Sequence, residues 1–304
     1  MLTEVDEAGW KTALNLEQHS IFFQPDYLNA VAEAFRVSVK YYIYTKKGKV
    51  LAALAVFKKG RNIVMPEQFT YTPFWVEEGL SEVKCNDILK EIITHLKRQY
   101  RKIALKLDVD IKDIRPFLWQ GFVADIRYTY IKKTDEPVHP SIYKNLNKAT
   151  HYTLETHFPD DKSIDINVAF LSELFFFKIK AVSFIKLMQL LTIKGYLQAF
   201  NVFYEEKHIC SSLVLLDKKK NKSYTLLSNK INREHAYAHT LLYQGRIDWM
   251  CNNDFTYMDL CGADMEGISR FKAFFNPKLE NHFYVSYSPA NPLLRILLRV
   301  IRKF

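Results

Sequence analysis

The feature that most narrows the fold is a pair of β-rich runs, Val37–Tyr44 and Val50–Phe57, joined by a Lys-Lys-Gly turn. Apolar, aromatic and β-branched runs separated by a short glycine-containing loop predict an antiparallel hairpin. The pattern returns late in the chain as GYLQAFNVFYEE, KHICSSLVLLDKK and KSYTLLSN, spanning Gly195–Asn229. A meander of antiparallel strands followed by a helix and a further strand favours a mixed sheet over a doubly wound parallel one.

The segments around the hairpins repeat in order. Before the first, Tyr27, Leu28, Val31 and Phe35 fall at helical spacing behind Pro25, which predicts a helix over Pro25–Phe35. After it, Arg61–Met65 extends the sheet and Phe69–Gly79, interrupted by Pro73, reads as a loop. An amphipathic helix follows over Cys85–Tyr100, then the strand KIALKLDV, a short helix near Ile111–Trp119 and a strand over Ala124–Lys132. TDEPVHPS is a polar linker, after which the order restarts. Helices are expected over Ser141–His151, within DINVAFLSELFFFKIKAV and over Ser183–Ile193. The hairpin comes next, then a helix over Glu234–Asn252 and the strand FTYMDLCG. The halves share this order without sequence identity, as a duplicated α/β unit would. The expected division is 1–133, 134–288 and a tail, 289–304.

Bulk properties bound the function. The 304 residues suit two domain-sized units, and a 48% hydrophobic content supports a sizeable core. Only 9 glycines argue against a glycine-rich nucleotide-binding architecture. The net charge of +10 favours anionic partners, although the lysines are scattered rather than blocked. The four cysteines show no CxxC spacing, so no zinc site is expected. An acidic start without an apolar core region is unlike a signal peptide, and no apolar run approaches the ~20 residues that span a bilayer. A cytoplasmic location is expected. The tail NPLLRILLRVIRKF sets Leu294, Leu297, Leu298 and Ile301 on one helical face and basic residues on another. Such a helix can lie at the inner face of an anionic membrane, or dock its leucines on protein.

Four segments carry a resemblance to a known family: Arg127–His157, Gly195–Asn229, His235–Asp264 with its Asp-Leu-x-Gly strand end, and GISRFKAFFNP (Gly267–Pro277). They resemble the FemAB-like family of the GNAT superfamily of N-acyltransferases. The resemblance implies an α/β chain of tandem GNAT-like units, each a mostly antiparallel sheet flanked by helices. It also implies transfer of an acyl or aminoacyl group to an amine of a cell-envelope precursor.

The resemblance assigns candidate residues. Lys272 matches the lysine of F-K-x-x-F, where a fixed cation would stabilise the developing oxyanion; capping a helix end or a turn is the alternative. Asp259 matches the strand-end aspartate and could act as a general base or hold a loop. Tyr224, Ser228 and Asn229 fall on the family's substrate-lining strand, with Arg270 beside Lys272 as a further substrate contact. Tyr224 could equally pack beneath the sheet. The stretch Ser228–His239 has no glycine, whereas acetyl-CoA enzymes hold the pyrophosphate with a glycine-containing loop at that position. The donor is therefore left open between acyl-CoA and aminoacyl-tRNA. No cofactor is required, the acceptor is a small molecule or peptide, tRNA is an allowed partner, and the oligomeric state is open. The competing reading is a non-catalytic GNAT-fold module that binds a peptide or glycan.

Overall fold

The computed structural model describes residues 1–66, 69–157, 167, 181–229 and 233–289. The tail Asn291–Phe304, and the helix expected within DINVAFLSELFFFKIKAV apart from its ends, lie outside the described residues.

Among the described residues the expected elements form, and their edges show why. The first hairpin joins β2 (Ser38–Lys46) to β3 (Lys49–Lys59) through Lys47 and Gly48, both at positive φ. That tight primed turn matches the strand twist, so the strands run longer and the loop shorter than the sequence predicts. β1 (Leu2–Val5) and β4 (Asn62–Val64) flank the pair. Asp6 caps α1 (Glu7–Ala13) by accepting from Gly9 N at 2.7 Å. Pro25 opens α2 (Pro25–Phe35), and Ser81 caps α3 (Glu82–Gln99).

The expected loop at Phe69–Gly79 contains a short strand, β5 (Phe74–Val76), paired antiparallel with β3. Pro73 does not prevent it. Proline lacks only the donor, and its carbonyl accepts from Ala55 N at 3.0 Å. β6 (Ile103–Leu107), the short α4 (Arg115–Trp119) and β7 (Val123–Lys133) complete the first half. The second contains α5 (Pro140–Leu146), β8 (Tyr152–His157), α6 (Ala181–Ile193), β9 (Leu197–Tyr204), β10 (Lys207–Asp217) and β11 (Lys222–Ser228). It ends with α7 (Ala236–Asn252), β12 (Tyr257–Asp259), α8 (Glu266–Ala273) and β13 (Lys278–Tyr287).

The strands form a five-stranded sheet and an eight-stranded sheet ordered β6-β13-β7-β12-β11-β10-β9-β8. The halves have exchanged their last strands. β13, the end of the second half, inserts between β6 and β7 of the first, and β7 lies against β12 of the second. The expected division after Lys133 falls at the end of β7, and the sheet runs continuously across it. At Thr72 the first sheet meets the second, where Thr72 N donates to Lys106 O at 2.7 Å.

Three cores follow. α3 covers the first half, with Ile88, Ile92 and Leu96 against β2, β3 and β6. α7 covers the second, with Leu242, Ile247 and Met250 against β9, β10 and β12. The third joins both halves: Phe22, Tyr27 and Val31 pack with Leu187, Leu213 and Tyr224. That shared core, with the exchanged strands, fixes one half against the other and so positions the site between them.

Candidate active site

A cleft of about 1450 Å³ opens where β5 and β6 diverge, facing β11, β12 and the start of β13. Phe74 and Trp75 form one side, and Asp108 and Asp110, just after β6, stand next to them. Lys222 and Tyr224 of β11 form the opposite side.

Asp108 is the titratable group best suited to chemistry here. It is half-buried at a strand end. Burial lifts its carboxyl to about 6, against the pull of the Lys222 ammonium and with Asp110 adding to the rise. It therefore exchanges protons near neutral pH, as a general base must.

Behind this floor lies a second, closed carboxylate. Asp259 is 0% exposed and accepts from Tyr71 Oη (2.9 Å), Thr129 Oγ1 (2.5 Å) and Cys261 N (2.9 Å). A buried carboxylate needs such partners, and three donors satisfy most of its capacity. Tyr71 comes from the first half and Asp259 from the second. The reverse pairing faces the cleft: burial, then the Asp108 carboxylate of the first half, pushes the Tyr224 phenol of the second well up. The two tyrosine rings meet edge to face at 6.2 Å, with Lys106 Nζ 5.4 Å from the Tyr71 ring centre and Lys222 Nζ 4.9 Å from that of Tyr224. Each tyrosine is followed by a threonine, and an aspartate stands at the C-terminal end of each neighbouring strand, Asp108 just after β6 and Asp259 as the last residue of β12. His282 of β13 meets Tyr71 edge-on at 5.3 Å, and burial, with Lys106 adding, pushes its imidazole down to about 4.

Lys272 on α8 is buried, and its Nζ donates to the carbonyls of Leu260 (2.9 Å), Cys261 and Gly262 (3.0 Å). An ammonium has three protons, and all three are used. The carbonyls converge because Cys261 and Gly262 both take left-handed φ, 48° and 53°. For Cys261 that conformation is sterically unfavourable, and the Lys272 hydrogen bonds hold it there.

The other sequence candidates occupy different places. Tyr224 is buried, with Phe22 against its ring at 4.8 Å, and it reaches the cleft only at the floor. Ser228 Oγ donates to Ser211 O at 3.4 Å. The Asn229 amide acts as a substitute peptide group, accepting from Ser211 N at 2.9 Å and donating to Ile209 O at 3.4 Å. Both extend the β10–β11 ladder. Arg270 is 80% exposed and lies 3.6 Å from Glu266 on its own helix, so it does not join the others. The fold thus brings together Asp259, Tyr224 and Lys272, and adds Asp108, Tyr71, Thr129 and Lys222, which sequence reasoning missed. The signal for Asp108 was legible: an aspartate directly after an apolar strand.

No family model matches the sequence, and no curated protein matches it either. Solved structures do match over nearly the whole length. FemX aligns with TM-score 0.64 at 12% identity, covering 97% of this chain and 99% of its own. L-PGS from Bacillus licheniformis aligns at 0.59 and 12%, covering 98% and 97%. A tandem GNAT protein from the clavulanic acid biosynthesis pathway aligns at 0.56 and 12%, covering 96% and 100%. The chain has the FemAB-like tandem GNAT fold. Within that fold, the open cleft lies at the strand divergence of the first GNAT-like unit, while Asp259 and Lys272 of the second are enclosed by hydrogen bonds.

Proposed function

We propose that the chain is an acyl- or aminoacyltransferase whose acceptor amine binds in the cleft between the two units, with Asp108 as its general base. The observation that carries this reading is a half-buried carboxyl, lifted to about 6, at a strand end lining a cleft of about 1450 Å³. The amine nitrogen attacks the carbonyl carbon of an activated ester or thioester. Its proton passes to the Asp108 carboxylate as the carbon–nitrogen bond forms. The bond to the donor oxygen or sulfur then breaks, and the proton leaves with the donor group. Attack is direct, with no covalent enzyme intermediate. The FemAB-like fold supports the reaction class, and the family resemblance of the four segments implies an acceptor from the cell envelope. No described helix is long and apolar enough to cross a membrane.

The Lys272 geometry favours a second reading, a binding module without chemistry, because its cation is committed to the 260–262 turn. Asp108→Asn separates the two. With aminoacyl-tRNA and acyl-CoA each supplied as donor, transfer by the native chain should rise through about pH 6 as the carboxylate forms, then level off. The variant should lose roughly 10²–10⁴-fold in kcat along with that acid limb. An unchanged pH profile in the variant would remove Asp108 from the reaction.

A further inference from the structure

The two walls of the cleft carry opposite charge. The wall from the first unit presents Glu78, Asp108 and Asp110, and the wall from the second presents Lys220 and Lys222. Most other charged lining groups are already paired; Glu136 also lines the cleft, its backbone carbonyl accepting from Lys132 Nζ at 2.6 Å. Glu280 takes both Lys112 (3.0 Å) and Lys278 (2.5 Å), Glu77 takes Lys49 (2.5 Å), and Lys133 takes Asp135 (3.1 Å). Among the described residues, no ion pair joins Asp108 or Asp110 to Lys220 or Lys222, although Lys222 is the charge that acts most strongly on Asp108.

Opposite charges facing across a half-buried cleft would normally close into an ion pair, because desolvation strengthens their attraction. Here Lys222 is held over the Tyr224 ring, and Tyr224 is fixed beneath by Phe22. Asp108 is fixed by the end of β6 and by the turn in which Ile111 N donates to Asp108 O at 3.0 Å. Rigid supports on both sides therefore keep a polar gap open, and Phe74 and Trp75 give it an apolar side.

We infer that this gap is built for a zwitterionic acceptor. Its ammonium would lie on Asp108 and Asp110, its oxyanion on Lys220 and Lys222, and the apolar spacer between them along Phe74 and Trp75. The inference rests on the transferase reading only in making the bound group the nucleophile, after the ammonium has released one proton to water and before Asp108 takes the second as the carbon–nitrogen bond forms. An acceptor with one charge satisfies one wall and leaves the other unpaired, so selectivity comes from both ends at once.

The probes are 4-aminobutanoate, 6-aminohexanoate and 8-aminooctanoate, each beside the alkylamine and the alkanoate of matching length, titrated calorimetrically into the full chain without donor. One zwitterion should bind at least roughly tenfold more tightly than both of its singly charged partners, since hydrogen bonds to charged groups are the strong ones. Asp108→Asn with Asp110→Asn should reduce that zwitterion to the affinity of the alkanoate, and Lys222→Met should reduce it to that of the alkylamine. Aminohexyl phosphate in a parallel titration decides whether the oxyanion is a phosphate or a carboxylate. Equal binding of zwitterion and single charges, or no binding of any zwitterion, overturns the inference whether or not the variants fold. Because the titration needs no donor, it can succeed where transfer fails. A transferase that uses hexylamine as readily as 6-aminohexanoate would sink the inference and leave the transferase reading standing.

Discussion

Lys272 shows how far one residue can be read. The F-K-x-x-F motif offered it as a cation for an oxyanion or as the cap of a helix end or turn, and its Nζ binds the carbonyls of the 260–262 turn. Its partners are backbone carbonyls, which no side-chain pattern reveals. Lys272→Met would leave three carbonyls around a buried apolar tip, and stability should fall by roughly 2–4 kcal/mol. Chemical denaturation measures this directly. A variant of native stability that no longer transfers would instead give Lys272 a role in the reaction. Asp259 belongs to the same lesson. The sequence offered it as a base or as a loop anchor, and its three donors come from β7, the loop before β5 and its own turn. Two of those partners lie more than a hundred residues away in sequence, so local spacing carried no hint of them.

Among the elements, strongly periodic segments were legible and weakly signalled ones were not. The Pro25–Phe35 helix forms as expected because proline, amphipathic spacing and the left-handed Arg36 agree on its two ends. β13 went unrecognised although Leu279, Phe283, Val285 and Tyr287 alternate along it, a clear period of two. β5 was hidden by Pro73 and by its length of three residues. The second hairpin turns on Glu205 and Glu206, at φ 47° and 63°, where side chains with a Cβ are disfavoured. Both are exposed. Glu206→Gly supplies the residue that a primed turn prefers, and it should raise stability by roughly 0.5–1 kcal/mol in thermal melts. A loss of stability would mean that the Glu206 side chain makes a contact worth more than the backbone strain.

At the scale of the whole molecule, the exchanged strands govern folding. β13 makes nine register pairs with β7 and five with β6, so the first unit's β6 and β7 are joined only through the last described strand. Residues 1–133 alone would present β6 and β7 with open edges and leave exposed the core that Phe283 and Val285 of β13 cover. That fragment should show no cooperative melt by circular dichroism, while mixing it with 134–289 should restore one. A cooperative melt of the fragment by itself would show that the exchange is dispensable. Composition and element order were sufficient to expect two α/β units, because helical and strand periods are local properties of the side-chain pattern, and the family resemblance made them GNAT-like. The strand exchange, the shared core around Phe22 and Tyr224, and the cleft with Asp108 facing Lys222 were decided by tertiary structure alone. They join residues separated by a hundred positions or more, and such pairings depend on packing and strand register, which no local run of sequence encodes.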